Sequence, residues 1–245
     1  MPSLYCLLAA TVVATAIATT TDKVQAEFYE YLYSRMNYHN DLSLTHAAGF
    51  IDIVVSAYSA DVHRVLDVGC SHGRGVSLLW EKGINASGVD ISMTAIARAR
   101  SVRKNESFCP SGACFQVGSA VSLPFADKSF DAIISTDVIE HVLPHEVVTM
   151  FQEFRRVTRK FMFLQISNKR TCGNCREYAQ GFMRERAGHK QGLRGGVAVH
   201  STVMEKGKWL GHFKAAGLEM IMDITPMSIP GFDSPNNFNF ILRVL

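Results

Sequence analysis

Asp67, Gly69, Ser71, Gly73 and Asp90 are the residues of this chain whose types and spacing suit joint chemistry. The apolar run Val65-Leu66-Asp67-Val68 ends in Gly69-Cys70-Ser71-His72-Gly73-Arg74-Gly75, a small-residue turn that leads into a helix start. Beyond it a second apolar run, Ala86 to Val89, ends in another acid, Asp90. A strand, a glycine turn at a helix N-terminus and an acid closing the next strand build a corner that fits a nucleoside. Glycines let the backbone approach a ligand closely. An acid at the end of the second strand accepts hydrogen bonds from ribose hydroxyls.

The spacing narrows the choice of nucleoside. A dinucleotide fingerprint places glycine at three positions spaced G-x-G-x-x-G. Counted from Gly69, the second and third positions hold Ser71 and Arg74, so the pattern here is D-x-G-x-S-x-G. Asp67 would repel a pyrophosphate and suits a ligand that carries an amine or another positive charge. Downstream, Leu123-Pro124-Phe125-Ala126-Asp127-Lys128-Ser129-Phe130-Asp131 leads into the apolar run Ala132 to Ser135. Thr136-Asp137-Val138-Ile139-Glu140-His141-Val142 follows directly.

Taken in this order, the motifs between about residues 60 and 166 resemble class I S-adenosylmethionine (SAM) methyltransferases, and within them the type-11 subgroup of quinone-ring and small-molecule enzymes. The resemblance implies SAM as cofactor. Asp67 and Gly69 would meet its methionine end, with Ser71 and Gly73 in the turn. Asp90 would hold the ribose, Ile91 would pack on the adenine, and Ser119 and Ala120 would lie at its edge. The family often carries Asp where this chain has Ser119, so that contact would rest on an uncharged hydroxyl. Asp137 falls just past the fourth strand, at the carboxyl end of the sheet, where open α/β folds bind ligands. Methyl transfer mainly requires alignment of acceptor and methyl. A general base is needed only for a protonated acceptor such as a hydroxyl. His141 is one candidate base and His200 a second.

The elements around these residues alternate. Apolar spacing predicts helices over Gln25–Met36 and Leu44–Tyr58, and a strand over Arg64–Val68. A helix from about Gly73 to Lys82, a strand over Ala86–Asp90 and a helix capped by Ser92 and reaching Arg103 follow. Strands are expected over Ala113–Val117, Ala132–Ser135 and Phe161–Ile166, with a helix opened by Pro144 and running through Val157. A helix over Val203–Ala216, ended by Gly217, precedes strands over Leu218–Ile224 and Phe238–Leu245. The fold class is therefore α/β: a Rossmann-like, seven-stranded, mostly parallel sheet with helices on both faces and an antiparallel C-terminal strand pair. Residues 167–200 show no clear periodicity. They are expected to form a substrate-loop insertion. Tyr29, Tyr33, Tyr38 and His39 fall where N-terminal helices would cap the cleft, although packing alone would account for them.

At 245 residues the chain suits one domain. Its 47% hydrophobic and 19% charged composition is that of a globular protein. A net charge of +3 is too small to argue for nucleic acid as partner, and none is expected. The excess of basic residues is concentrated in 167–200, where seven Lys and Arg face two Glu. Arg there would suit a carboxylate, phosphate or acidic glycan. Leu4 to Ala18 is uncharged and apolar, short for a membrane span and suited to a signal peptide core. Residues 1–26 are thus expected to form a leader or short anchor, the only membrane contact anticipated, with a single domain over 27–245. Cys109-Pro110-Ser111-Gly112-Ala113-Cys114 closes easily into a local disulfide, and Cys172-Gly173-Asn174-Cys175 is a second pair. Together they point to a secretory lumen, with a cytoplasmic location as the alternative. No metal site is expected, although four such cysteines have the ligand type for zinc if the pairs converge. The expected function is SAM-dependent methylation of a small-molecule or glycan acceptor, at oxygen, with an anionic acceptor one option and a merely solvated basic loop the other. A non-catalytic SAM-binding protein is the alternative.

Overall fold

The computed structural model describes residues 20–36, 38, 41–43, 45–103, 105, 107–109, 113–169, 175–186, 199–225 and 236–245, the side chains of 20–22, 175–177, 184 and 186 excepted. Helix α1 spans Thr20–Arg35 and α2 Ala48–Ala57. Strand β1 (Arg64–Val68) leads to α3 (Arg74–Glu81), and β2 (Asn85–Asp90) to α4 (Met93–Val102). Next come β3 (Phe115–Val117), β4 (Phe130–Thr136), a short 3₁₀ turn (Ile139–His141), α5 (Val147–Val157) and β5 (Thr158–Ser167). Helix α6 (Cys175–Arg186), α7 (Lys206–Ala215), β6 (Leu218–Asp223) and β7 (Asn237–Val244) complete the order.

The seven strands form one sheet in the order β3-β2-β1-β4-β5-β7-β6. All neighbours from β3 to β5 pair in parallel, and β7 runs antiparallel to both β5 and β6. The central strands are apolar on both sides because helices cover both faces. Successive residues alternate between the two layers. Val65, Ile134, Phe163 and Ile241 join the layer of Phe50, Val54, Leu79 and Ile96. Leu66, Ile133, Leu164 and Phe240 join that of Phe151, Phe154, Trp209 and Phe213.

Local signals hold where their chemistry acts at short range. The Ser92 side chain caps α4 by accepting from Ala95 N–H at 3.1 Å. Gly217 takes a left-handed conformation (φ 72°) after α7. Pro144, by contrast, lies in the turn before α5, which begins only at Val147. Strand β5 is longer at both ends than expected: Thr158 pairs with Phe130 of β4 at one end and Ser167 with Asn237 of β7 at the other. The insertion contains α6, which packs on α1 with the Phe28 and Phe182 rings 5.3 Å apart.

Helix α1 crosses the boundary expected at residues 26 and 27. Gln25 donates a 2.5 Å hydrogen bond to the His141 carbonyl, and Val24 packs with the Phe28 cluster. The apolar leader itself, Leu4 to Ala18, lies outside the described residues, as do His39 and Cys172. The pairing of Cys172 with Cys175 is likewise outside them. Cys109 and Cys114 are joined by a disulfide, with Cα atoms 5.7 Å apart. Among the described residues no helix is long and apolar enough to cross a membrane.

Candidate functional site

The carboxyl ends of β1, β2 and β4 open into a cavity of about 600 Å³, capped by α1. Gly69 starts the turn after β1 with φ 80°, and its backbone passes so close to Val138 that a Cβ would stand 2.1 Å from Val138 Cγ2. Gly69 and Cys70 N–H both donate to the Val89 carbonyl, at 2.8 and 3.0 Å, which fastens the turn to β2. Asp90 then bridges the corner: one carboxylate oxygen accepts from Ser71 N–H at 3.0 Å, the other from Ser92 N–H at 2.9 Å. With up to about four lone-pair sites in all, this carboxylate keeps capacity for a ligand hydroxyl. Asp67 lies buried beside Gly75, where a Cβ would come within 2.5 Å of Asp67 Oδ2. Burial, reinforced by the charge of Asp90, pushes the Asp67 carboxyl up to about 7. Burial also raises Asp90, to about 6, against the opposing pull of its backbone hydrogen bonds. Two adjacent buried acids with raised pKa values form a pocket that favours a cationic ligand.

The roof is pinned to this corner by Glu30 of α1. Its carboxylate accepts from Ser92 Oγ at 2.8 Å and Thr94 N–H at 3.1 Å, at the N-terminus of α4, where a negative charge is favoured. Although partial burial opposes ionisation, the hydrogen bonds from Thr94 and Ser92 hold this carboxyl below its ordinary range. Tyr29, Tyr33 and Tyr38 line the cavity under the roof.

The opposite wall carries a different set of groups. Asp137 follows β4 in a left-handed conformation (φ 55°), which is sparsely populated for a residue with a side chain. Its carboxylate holds His46 Nδ1 in a short hydrogen bond and is approached by Asn237 Nδ2 at 3.5 Å. That hydrogen bond raises the His46 pKa, against the opposing effect of burial. Beside this pair, Glu140 is 1% exposed, and neither carboxylate oxygen has a hydrogen-bond partner among the described residues. Burial, with the charge of Asp137, raises this carboxyl to about 8. His141 bonds the Val199 carbonyl through Nδ1 at 2.7 Å, and burial lowers its pKa to about 4. His200 bonds the Lys169 carbonyl through Nδ1 at 2.5 Å, and its ring stands 4.8 Å from that of His141.

Residues 66–161 match the family model described as a methyltransferase domain, of the type-11 kind. Over these residues the chain is similar to class I methyltransferase domains. A fatty-acid O-methyltransferase from Mycolicibacterium smegmatis is 37% identical over 108 residues, covering 42% of this chain and 37% of that protein. Norajmaline N-methyltransferase from Rauvolfia serpentina is 31% identical over 84 residues, covering 34% of this chain and 28% of that protein. The matched segment thus spans only about a third of these relatives' length. Magnesium protoporphyrin IX methyltransferase from Synechocystis, solved with bound SAM, superposes with a TM-score of 0.60 over 93% of this chain and 99% of that one, at 16% identity. At that identity the likeness concerns the fold.

Asp67, Gly69, Ser71, Asp90, Ile91, Ser119, Ala120, Asp137, His141 and His200 all line this cavity. Gly73 does not. It turns inward with φ 73°, and a Cβ there would meet the Phe115 ring at 2.5 Å, so its task is to seat α3 on the sheet. Ser119 Oγ accepts from Val121 N–H at 3.3 Å, which orients the Gly118–Ser122 turn. His141 is poorly suited to remove a proton, because burial makes it a weak base. Three residues escaped the sequence reading. Gly75 leaves room for Asp67, and a glycine inside an expected helix was the available signal. Glu30 ties the roof down, and His46 partners Asp137. No local pattern marks either, since their partners lie 62 to 91 residues away.

Proposed function

We propose that the protein is a SAM-dependent methyltransferase that methylates a small-molecule acceptor at oxygen, with an anionic acceptor preferred. The observation that carries this reading is the placement of two acids, Asp67 and Asp90, across one cavity from the His46–Asp137 pair. Bound SAM supplies a methyl group on a sulfonium, already a good leaving group. The chain's part is to hold it and to prepare the acceptor. Asp67 and Gly69 would hold the methionine end, and Asp90 the ribose. Ile91 would pack on the adenine, edged by Ser119 and Ala120. His46, held by Asp137 on the cavity wall, is the candidate to take the hydroxyl proton. Lys169, on the cavity wall, suits a carboxylate or phosphate on the acceptor. A fatty acid is such an acceptor in one relative, whereas another acts at nitrogen, so the oxygen reading rests on His46.

A secretory-lumen location is part of the proposal. It is supported by the apolar leader and by the Cys109–Cys114 disulfide, which an oxidising compartment would preserve. Cleavage after Ala18 would leave α1 whole, while cleavage after Ala26 would remove Gln25 from its contact with His141.

Calorimetric titration with SAM, alongside Asp90→Ala, tests the cofactor. Release of S-adenosylhomocysteine with a panel of carboxylated small molecules and acidic glycans then tests the reaction. Binding lost in the variant together with turnover supports the proposal. Absence of binding by folded protein sinks it, and binding without turnover on any acceptor favours a non-catalytic SAM-binding protein.

A further inference from the structure

We propose that Glu140, His141 and His200 form a binding site for a divalent transition-metal ion of the zinc class on the acceptor side of the cavity. Among the described residues, these three bring a carboxylate oxygen and two imidazole nitrogens within 4.8 Å of one another. Two imidazoles and one carboxylate are the donor set of many catalytic zinc sites and leave a position open. A tetrahedral zinc ion with bonds of 2.0 to 2.2 Å needs donors about 3.4 Å apart. The three groups must therefore close by somewhat over an ångström, which rotation of the only partly buried His200 ring can supply.

Independent features of the same residues point to a cation. A carboxylate sealed from solvent without a partner is expensive, and such groups are normally paired or coordinate a metal. Glu140 is close to that case: 1% exposed, with neither oxygen in a well-formed hydrogen bond among the described residues and only its own and the Ser167 backbone N–H groups acting on it. The histidines are oriented as ligands. A backbone carbonyl only accepts hydrogen bonds, so the Nδ1 of His141 and of His200 each carries a proton donated to Val199 and Lys169 respectively. In the neutral rings Nε2 then bears the lone pair, although in His141 the Asp137 carbonyl also lies within reach of the ring. Metal-bound histidines are held in this way, with the second nitrogen tied to a carbonyl or carboxylate.

The backbone holds the three residues ready. Thr202 N–H donates to the Glu140 carbonyl at 2.9 Å, and Thr202 Oγ1 to the Val142 carbonyl at 2.5 Å. The segment bearing His200 is thereby stapled to the turn bearing Glu140 and His141. All three side chains line the cavity, so an ion held here is within reach of an acceptor oxygen. One carboxylate leaves a dication with net positive charge, which favours an anionic acceptor. That consequence rests on the methyltransferase reading; binding of the ion does not.

Chelator-stripped full-length protein should be titrated with Zn²⁺ against a competing indicator, and with Co²⁺ followed by its visible absorption. One equivalent of each should bind. Glu140→Gln and His200→Ala should each weaken binding by more than the roughly 10- to 100-fold that loss of an outer-shell partner brings. Thermal unfolding of the stripped proteins identifies which variants are folded, and Glu140→Gln preserves side-chain shape. Failure of the folded wild-type protein to take up either ion overturns the proposal. So does uptake that survives in both variants, which would place the metal elsewhere, for example at Cys172 and Cys175. Neither readout uses SAM, so the metal site can fail while the methyltransferase reading stands, and the reverse.

Discussion

Replacing Asp67 by Asn separates a cation-binding acid from a structural one. In the ligand-free protein the Asp67 carboxyl titrates at about 7 and that of Asp90 at about 6, each raised first by burial. A cationic ligand binds the ionised form, so its affinity should rise with pH. Between pH 5 and pH 7 the ionised fraction of a group titrating at 7 grows about 50-fold, and that of a group titrating at 6 about 10-fold. SAM affinity in the wild-type protein should therefore climb steeply across this window, while Asp67→Asn should keep only the roughly tenfold Asp90 component. Calorimetry at pH 5, 6 and 7 measures both slopes. The stability effect has the opposite sign. A carboxyl whose folded pKa lies above the ordinary 3.8 binds more protons folded than unfolded, so its contribution is present at low pH and lost as pH rises through 7. At pH 8 Asp67→Asn should therefore be more stable than wild type. A shift of about three pKa units sets an upper bound on the order of 4 kcal/mol, reduced by the imperfect fit of an amide. Wild-type affinity that is flat from pH 5 to pH 7, or a variant with an undiminished slope, would refute the assignment.

Other outcomes follow from the same geometry. Gly75→Ala should fold, since alanine is favoured within α3, yet its Cβ displaces Asp67 Oδ2; SAM binding by calorimetry should weaken about tenfold or more, equivalent to ~1.4 kcal/mol, and unchanged binding would show that Asp67 is not a ligand. His46→Ala should lower kcat by about 100- to 10,000-fold with little change in SAM affinity. The rate should rise with pH through an inflection above 6.5, since the raised pKa keeps the base protonated below it, and Asp137→Asn should move that inflection down. Reducing the Cys109–Cys114 disulfide, or replacing both cysteines by Ser, should cost about 2 kcal/mol for so short a loop, read as a Tm lower by about 4 to 8 °C.

Much of the architecture was legible because its signals are local. Apolar runs mark β1, β2 and β4, since strands covered on both faces have no polar side. The Ser92 cap and the Gly217 stop depend only on neighbouring residues. The corner of Gly69, Ser71 and Asp90 was legible for the same reason, as its residues end consecutive strands. Helix α6 was harder to see. Its apolar residues Tyr178, Phe182 and Met183 lie at helical spacing, but they stand amid charged residues and pack with residues of α1, a distant partner. Sequence type alone also marked Gly73 and Gly69 as equals, although one faces the sheet and the other the cavity wall.

By itself the sequence determined the order of strands and helices, the glycine turn and the two acids. Each of these follows from backbone conformation and from polarity over a few neighbouring residues. Tertiary structure decided which polar groups share one cavity. It set His46 against Asp137 and Glu140 beside two histidines, and it buried Asp67 deeply enough to shift its titration. Those properties depend on desolvation and on distances between residues far apart in the chain, and no local pattern encodes either.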